Sequence, residues 1–578
     1  MTNLEIADAF DQLADLLEFQ GANPFRVRAY RNGARRLSDL SEPAVAILQD
    51  PERSLTDLDG IGKDLAEKIE MLVATGRLPQ LEELKAAVPE TVLTLLRVPG
   101  LGPKKAASLF RELKIKSLVD LRAACEAGRV SELKGFGKKT EQSILAGIDL
   151  AEHAQDRMYW AEADAIVQNL LAHLRDVKGV KQIEVAGSYR RGRETVGDLD
   201  LLVEAKSGDA AMNRLVEYPS VVDVLARGDT KMSVRLWNGL QVDLRVVPQE
   251  SFGAALQYFT GSKDHNVVLR GMAIKRGLKI SEWGVFRAQP ENGDEKYVAG
   301  RTEEEVYAAI DLPCFPPELR EARSEFEWAK SGKLPKLVER KDLRGDLHMH
   351  TTATDGKATI EQMIAAAREQ GLEYIAITDH SKRVSMAGGL DGKRLRAQWK
   401  EIDRINRDLD DFTVLKGIEC DILERGGMDL PDDVLAEADW VIASVHYGQN
   451  QSRQQITERI LEAVENPHVH LIAHPTGRII NRREPYDVDL DQVMASVKKH
   501  RKMLELNANP ARLDLNDIAC AAAKRLGIPI AINSDAHSQN GIGVLRYGIL
   551  QARRGGLTAG DVANARPLAK LRELLASG

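Results

Sequence analysis

Nine of the twelve histidines fall after residue 345, and they recur beside carboxylates at the ends of short apolar runs. The groups are Asp346-Leu-His-Met-His350 with Asp355, Thr378-Asp-His380, Gly417-Ile-Glu419, Ser444-Val-His446, Ala473-His-Pro475 and Asn533-Ser-Asp-Ala-His537. Seven strand candidates can be read there, at 343–350, 373–379, 413–421, 440–446, 470–474, 503–507 and 528–534. Helical stretches such as Ile360–Glu369 and Glu458–Glu465 lie between them. Such alternation builds a parallel sheet, and seven β/α units point to a barrel. Nearly every group then sits at the C-terminal end of a strand, the face on which barrels carry their sites. His-x-His with bridging carboxylates suits Zn²⁺ or Mn²⁺ rather than Mg²⁺, and this many ligands calls for two or three ions. His468, His470 and His500 flank loops or open a strand and read as structural.

The first 150 residues have a different texture. Leu58-Asp-Gly-Ile-Gly-Lys63, Val98-Pro-Gly-Leu-Gly-Pro-Lys104 and Leu133-Lys-Gly-Phe-Gly-Lys138 repeat one pattern at spacings of 40 and 35 residues, each before a helical stretch. Glycine pairs before a helix (Gly60 and Gly62, Gly100 and Gly102, Gly135 and Gly137) free backbone amides to meet an anion, and a DNA phosphate fits without base readout. Three copies in register read as helix-hairpin-helix elements. An amphipathic helix over 4–18 opens the chain with Ile6, Phe10, Leu13 and Leu17 on one face. Arg26, Arg28, Arg31, Arg35 and Arg36 form an acid-free run around Tyr30. Yet this region carries 21 Lys and Arg against 23 Asp and Glu, and the chain has a net charge of −7. Bulk charge therefore does not grip nucleic acid here; local clusters and backbone donors must.

Between these regions come strand-like runs at 183–186, 198–203 and 241–247. Gly187-Ser-Tyr-Arg-Arg-Gly192 is followed by Gly197-Asp-Leu-Asp-Leu-Leu-Val203. Side chains at i and i+2 of a strand share a face, so Asp198 and Asp200 point the same way, and Asp243 on a second apolar strand could complete a triad. Three converging carboxylates make an oxygen site for two Mg²⁺ ions that serve an in-line displacement at phosphorus. Residues 312–342, rich in proline and charge, read as an extended linker.

The chain has 578 residues, 43% of them hydrophobic, and no run near 18 apolar residues, which excludes a membrane span. An acidic N-terminus without a signal-peptide pattern and four scattered cysteines point to the cytoplasm.

From residue 1 to about 318 the chain resembles family X DNA polymerases of the beta type. The resemblance implies Asp198, Asp200 and Asp243 as ligands of Mg²⁺ or Mn²⁺, with Asp243 nearest the primer 3′-hydroxyl. It implies Ser188 and Arg191 on the incoming triphosphate, with Gly187 and Gly197 close by. The segment Gln257–Asn266 resembles the family's nucleotide pocket: Tyr258 and Phe259 flank the sugar, Gly261 binds the nucleotide beside them, Asn266 reaches the base edge, and Arg270 stabilises the closed state. Lys263 stands where the family's animal member has an acid. At the N-terminus, Lys68 falls on the family's deoxyribose-phosphate lyase lysine, with Tyr30 and Arg26 at pocket positions; Phe25, Asn32 and Gln80 replace other basic residues. From 343 to 578 the chain resembles the polymerase-and-histidinol-phosphatase (PHP) domain, which implies His348, His350, Asp355, His380, Glu419, His446, His474, Asp535 and His537 as ligands. Arg478 and Lys382 are expected on the phosphate, and Asp379 behind His380.

Together these imply a multidomain protein: a lyase-like helix-hairpin-helix domain (1–90), a second helix-hairpin-helix domain (91–150), an α/β nucleotidyltransferase palm (151–250), a thumb-type subdomain (251–318), a linker (319–342) and a (β/α)7 PHP barrel (343–578). The expected function is short-gap filling in DNA repair on gapped or primer-template DNA with deoxynucleoside triphosphates. The barrel is expected to act as a 3′-5′ exonuclease or 3′-phosphoesterase, with abasic-site cleavage as a third activity. A monomer associated with the bacterial nucleoid is expected. Two rivals stand beside this reading: a nucleotidyltransferase fused to a small-molecule phosphatase, and a DNA-binding scaffold without activity.

Overall fold

The computed structural model describes residues 3–576 apart from 39, 41–43, 51–52, 59, 76–77, 88–94, 96–97, 99–100, 139, 143, 146–147, 149–156, 237–238, 289–294, 481–482 and 484. The chain divides into two units, Met1–Arg157 and Met158–Gly578.

The first unit is helical. Ile6, Phe10, Leu13 and Leu17 of the helix Asn3–Phe19 are buried in one core with Leu65 and Ile69 of the helix Lys63–Thr75 and Ala106 and Leu109 of the helix Pro103–Leu113. The three glycine repeats adopt the same local hydrogen bonding. The amides of Ile61, Leu101 and Phe136 donate to the carbonyls of Leu58, Val98 and Leu133, and those of Ala66, Ala106 and Glu141 donate to Gly62, Gly102 and Gly137. Each repeat is thus a tight turn feeding a helix.

The second unit opens on a five-stranded sheet in the order Val180–Val185, Asp198–Ala205, Gln241–Val247, Lys231–Leu236 and Val221–Arg227. Asp198–Ala205 and Gln241–Val247 run parallel; the other pairings are antiparallel. Helices Phe252–Thr260 and Lys263–Ile274 and a three-stranded sheet follow.

Residues 312–342 are not the extended, solvent-facing linker that their proline and charge content suggests. They carry the short helix Glu325–Lys330, and the charges of Glu318, Arg320, Glu321, Arg323 and Glu325 are paired instead of solvated. Arg320 is fully buried and bonds Phe315 O and Glu303. Buried Glu325 accepts from the amides of Ala322 and Arg323 and lies 2.8 Å from Nδ1 of His265.

Seven parallel strands then follow in sequence order: Gly345–Asp346, Tyr374–Ile377, Thr413–Asp421, Trp440–Ser444, Leu471–Ile472, Met503–Asn507 and Ile530–Asn533. A further parallel bridge joins Met349 to Ala536, so the expected (β/α)7 barrel nearly closes. Its strands change character along their length. Leu415, Ile442, Met503 and Ala531 share one apolar cluster, and stepping two residues at a time from each leads to Glu419, Ser444 and His446, Glu505 and Asn507, and Asn533 and Asp535. One face of each of these four strands is therefore apolar at its start and polar at its C-terminal end.

The barrel meets the palm directly. Arg478 pairs with Glu194 at 2.7 Å, Tyr159 donates to the carbonyl of Ile480 at 2.7 Å, and Arg546 lies 3.1 Å from Asp164. Among the described residues no helix is long and apolar enough to cross a membrane.

Candidate active sites

The palm acids converge because of register. Asp200 and Asp243 are direct partners on parallel strands, and Asp198 lies two residues before Asp200 on the same face. Burial first, then the charges of Asp198 and Asp243, push the Asp200 carboxyl up to about 6. Burial also pushes Asp243 up, but Ser233, Gln241 and Lys231 outweigh it and hold that carboxyl below its usual range. Gln241 donates to Asp243 at 2.8 Å, and Lys231 Nζ lies 3.2 Å away. Three acids crowded onto one face need positive charge between them, which fits a divalent cation site. Gly187 has a φ of +64°, and a Cβ there would lie 2.4 Å from Oδ2 of Asp200. Glycine at that position lets the short helix Gly187–Arg190, which carries Ser188, approach the acids.

The residues expected in the nucleotide pocket brace one another. Arg245 lies 4.3 Å from the Phe259 ring centroid, and Tyr258 packs edge-on to Phe259 at 5.1 Å. Arg270 lies 5.9 Å from the Tyr258 ring. The Asn266 amide donates to Tyr258 O at 2.8 Å and accepts from Gln257 at 2.7 Å. Arg191 is engaged by Glu321 and by the carbonyl of Thr260, beside Gly261.

In the barrel, Glu419 is the hub. It lies 2.8 Å from His380 Nδ1, 3.1 Å from His474 Nε2, 3.4 Å from His446 Nε2, and 3.6 Å from both His348 Nε2 and His350 Nε2. Asp535 lies 3.5 and 3.3 Å from His348 and His350, and Asp355 lies 3.5 and 3.4 Å from His380 and His537. Three groups have the spacing of a metal site: His350, Asp355, His380 and His537; His348, His350 and Asp535; and His380, Glu419 and His446. Buried His348 Nε2, both ring nitrogens of His350 and Glu419 Oε2 find no hydrogen-bond partner among the described residues. Orphaned buried atoms of this kind are what a metal would satisfy. Burial pulls His348 down, but Glu505, Asp535 and Glu419 together raise its pKa well above the usual range; the same field favours a bound cation.

The histidine pattern did not reveal the residues behind these candidate ligands. Glu505 accepts from Asn533 at 2.9 Å, lies 2.8 Å from His348 Nδ1 and takes the His474 amide at 2.7 Å. Asp421 lies 3.1 Å from His446 Nδ1. Both sit two residues from another polar residue on one strand, a spacing that singles them out only once the inner face is known. Asp379 accepts from Thr351 and Gln398, so it braces the 351–354 loop as well as preceding His380. Arg478, expected on the phosphate, is spent on Glu194 of the palm, while Lys382 is exposed. Arg512, with Nε 3.9 Å from Asp535, is a cation at the cluster that sequence reading passed over. His470 is structural: it stacks on Trp440 at 5.5 Å and accepts from the Val441 amide.

In the helical unit, a Cβ added at Gly60, Gly62, Gly102, Gly135 or Gly137 would meet no atom within 4 Å, so these backbones are open to a ligand. Gly100 lies outside the described residues. Of the arginine run, Arg31 is paired with Asp15 and Glu18. Lys68 pairs with Asp64, which also accepts from Tyr30 at 3.0 Å; Arg26 lies over the Tyr30 ring at 5.9 Å. Burial lowers the Lys68 pKa, but Asp64 and Tyr30 outweigh it and leave it raised.

Five family models match. A DNA polymerase beta palm matches residues 157–245 and a DNA polymerase beta thumb 255–321. A PHP domain matches 346–509, a helix-hairpin-helix domain 1–78, and a SAM-like helix-hairpin-helix tandem 72–149. The DNA polymerase/3′-5′ exonuclease PolX of Bacillus subtilis (strain 168) is 40% identical over 583 residues, spanning 100% of this chain and 99% of the relative. The chain belongs to the family X DNA polymerases that carry a PHP domain. A probable phosphatase of Thermoanaerobacter sp. (strain X514) is 28% identical over 40% of this chain and 93% of its own length. DNA polymerase lambda of Rattus norvegicus is 26% identical over 55% of this chain and 56% of its own. As a family X PHP polymerase, the chain pairs two chemically different candidate metal sites, one all-oxygen and one rich in imidazole.

Proposed function

We propose that the protein is a DNA-directed DNA polymerase that fills short gaps during repair and trims 3′ ends in its barrel. The observation that carries this is the coexistence, in one compact unit, of the in-register pair Asp200 and Asp243 and the Glu419-centred histidine array. Asp198, Asp200 and Asp243 would hold Mg²⁺ or Mn²⁺, and the nine barrel ligands two or three ions, Mn²⁺ or Zn²⁺. Bound divalent ions activate an attacking hydroxyl or water and neutralise phosphate oxygens.

The chain's own residues do the rest. Ser188 and Arg191 hold the triphosphate, Tyr258 and Phe259 form the sugar wall with Arg245 behind it, and Asn266 presents its amide toward the base. The open glycine turns grip phosphates of primer-template DNA without reading sequence. In the barrel, Glu505 and Asp421 orient His348, His474 and His446, so the ligands are set before an ion arrives. The likeness to probable phosphatases favours a 3′-phosphoesterase activity beside the exonuclease, and abasic-site cleavage draws on the same cluster. We assign the boundaries given above to its domains and read the protein as a cytoplasmic, nucleoid-associated monomer.

A 5′-labelled primer in a gapped duplex with Mn²⁺ tests the proposal. Extension is expected with deoxynucleotides and shortening without them. Shortening alone in both lanes would leave a nuclease, and no change in either would leave the scaffold or the small-molecule phosphatase.

The lyase reading meets an electrostatic obstacle. A Schiff-base lysine attacks only as the free amine, and a raised pKa keeps Lys68 protonated near neutrality, its amine fraction growing only as pH climbs through that raised value. Borohydride trapping on a 5′-deoxyribose-phosphate end is therefore expected to be weak at pH 7 and to rise with pH. Asp64→Asn should move that rise to lower pH; an unchanged profile would show that Asp64 does not control the lysine.

A further inference from the structure

Arg191 does not stand alone in the palm. Its Nε lies 3.1 Å from Glu321 Oε1 and its Nη1 donates to Thr260 O, while its Nη2 makes no hydrogen bond among the described residues. The same Glu321 oxygen accepts at 2.9 Å from Nη1 of Arg554, at the end of the barrel helix Leu545–Arg554. That nitrogen also donates to the carbonyl of Arg191 at 2.8 Å, and Arg554 Nη2 reaches Asp517 at 2.8 Å. Asp517 in turn pairs with Arg323 at 3.0 Å. Arg554 is buried, and Leu550 on the same helix backs onto Gly192. Hence a guanidinium of the barrel touches both the main chain of Arg191 and the carboxylate that holds its side chain.

We propose that Arg554 and Asp517 of the barrel are positioning residues for nucleotidyl transfer, fixing Arg191 and balancing its charge through Glu321. The inference rests on the reading of Arg191 as a triphosphate contact. Two arginines share one carboxylate, so Glu321 cannot neutralise both. Arg191 thereby keeps net positive charge for an incoming anion while its Nε and Nη1 stay fixed. Asp517 carries out the complementary task, pairing with buried Arg554 and part-buried Arg323 so that Arg191, Arg323 and Arg554 are tolerated within one cluster. Without Arg554, Glu321 is left to Arg191 alone: the guanidinium is neutralised and its main chain loses a tether. The barrel is then part of the polymerase site, independently of its own hydrolysis.

The test is single-nucleotide insertion into gapped DNA by full-length variants, with 3′ hydrolysis on the same preparations reporting the fold of the barrel. Arg554→Ala should raise KM for the deoxynucleotide about 10-fold, within the range for coupling inside one ion-pair network. kcat should change less, and 3′ hydrolysis and the Kd for gapped DNA should be retained. Arg554→Lys keeps a cation beside Glu321 but cannot span all three partners, so its KM should be intermediate. Adding Arg554→Ala to Arg191→Ala should cost nothing further. If Arg191→Ala leaves KM unchanged, the triphosphate reading itself fails. If Arg191→Ala raises KM while Arg554→Ala and Arg554→Lys do not, or if the two effects are additive, the positioning role is overturned. Loss of both activities in Arg554→Ala and in Arg554→Lys would likewise overturn it, since a purely structural brace does that.

Discussion

Asp243→Asn should lower nucleotide incorporation into gapped DNA by about three orders of magnitude, the scale on which removing a partner of transition-state charge acts. Shortening of the same primer should persist. The substitution keeps the side-chain volume and the donor from Gln241 can still find an amide oxygen, so binding of gapped DNA should hold. What is lost is one of the three negative charges on the face that Asp198, Asp200 and Asp243 share. Lys231, 3.2 Å from Asp243, then stands beside a neutral amide and repels a divalent cation. Incorporation within 10-fold of wild type, measured as single-turnover insertion, would remove Asp243 from the chemistry.

The mirror result is expected in the barrel. Glu419→Gln should reduce 3′ hydrolysis by about two to three orders of magnitude while insertion continues, and metal analysis of the purified variant should show less bound ion than wild type. Glu419 lies within 3.6 Å of five histidines, so its charge is shared by every part of the cluster. Glu505→Gln tests the layer behind. It touches no proposed metal position but lies 2.8 Å from His348 Nδ1 and accepts the His474 amide, and losing such a partner weakens metal affinity by about 10- to 100-fold. Added Mn²⁺ should therefore restore hydrolysis in Glu505→Gln and fail to do so in Glu419→Gln. Equal rescue of both would mean that Glu419 is not a ligand.

Much of this was legible in the chain. Seven apolar runs with polar tails specify seven parallel strands, because alternation along a strand separates its faces and crossover helices force parallel order. Asp198-x-Asp200 declares a shared face by spacing alone. The glycine repeats at 58–63, 98–104 and 133–138 announce one local hydrogen-bond pattern, since only a few backbone geometries join such a turn to a helix. Just beyond the first barrel strand the rule breaks: Leu347 joins the inner apolar cluster and Met349 the outer one, so the alternation is lost across His348 and His350. Periodicity would not have placed those two histidines; their company did.

What the sequence by itself determined is the set of candidate reacting groups and the strands that carry them, because strand period and metal-ligand chemistry are local properties. What only the tertiary structure decided is how those groups are held. The charges of 312–342 look like a solvated linker when counted along the chain, yet Arg320, Glu321 and Glu325 are buried against Glu303, Arg554 and His265. Arg478 looks like a phosphate ligand until Glu194, 284 residues away, claims it. Lys68 meets Asp64 on its own helix, but Tyr30, which donates to that carboxylate, is brought there by the fold. A side chain's charge is written in the sequence, but its partner is chosen by the fold, and in a low-dielectric interior the partner fixes whether that charge is free to act.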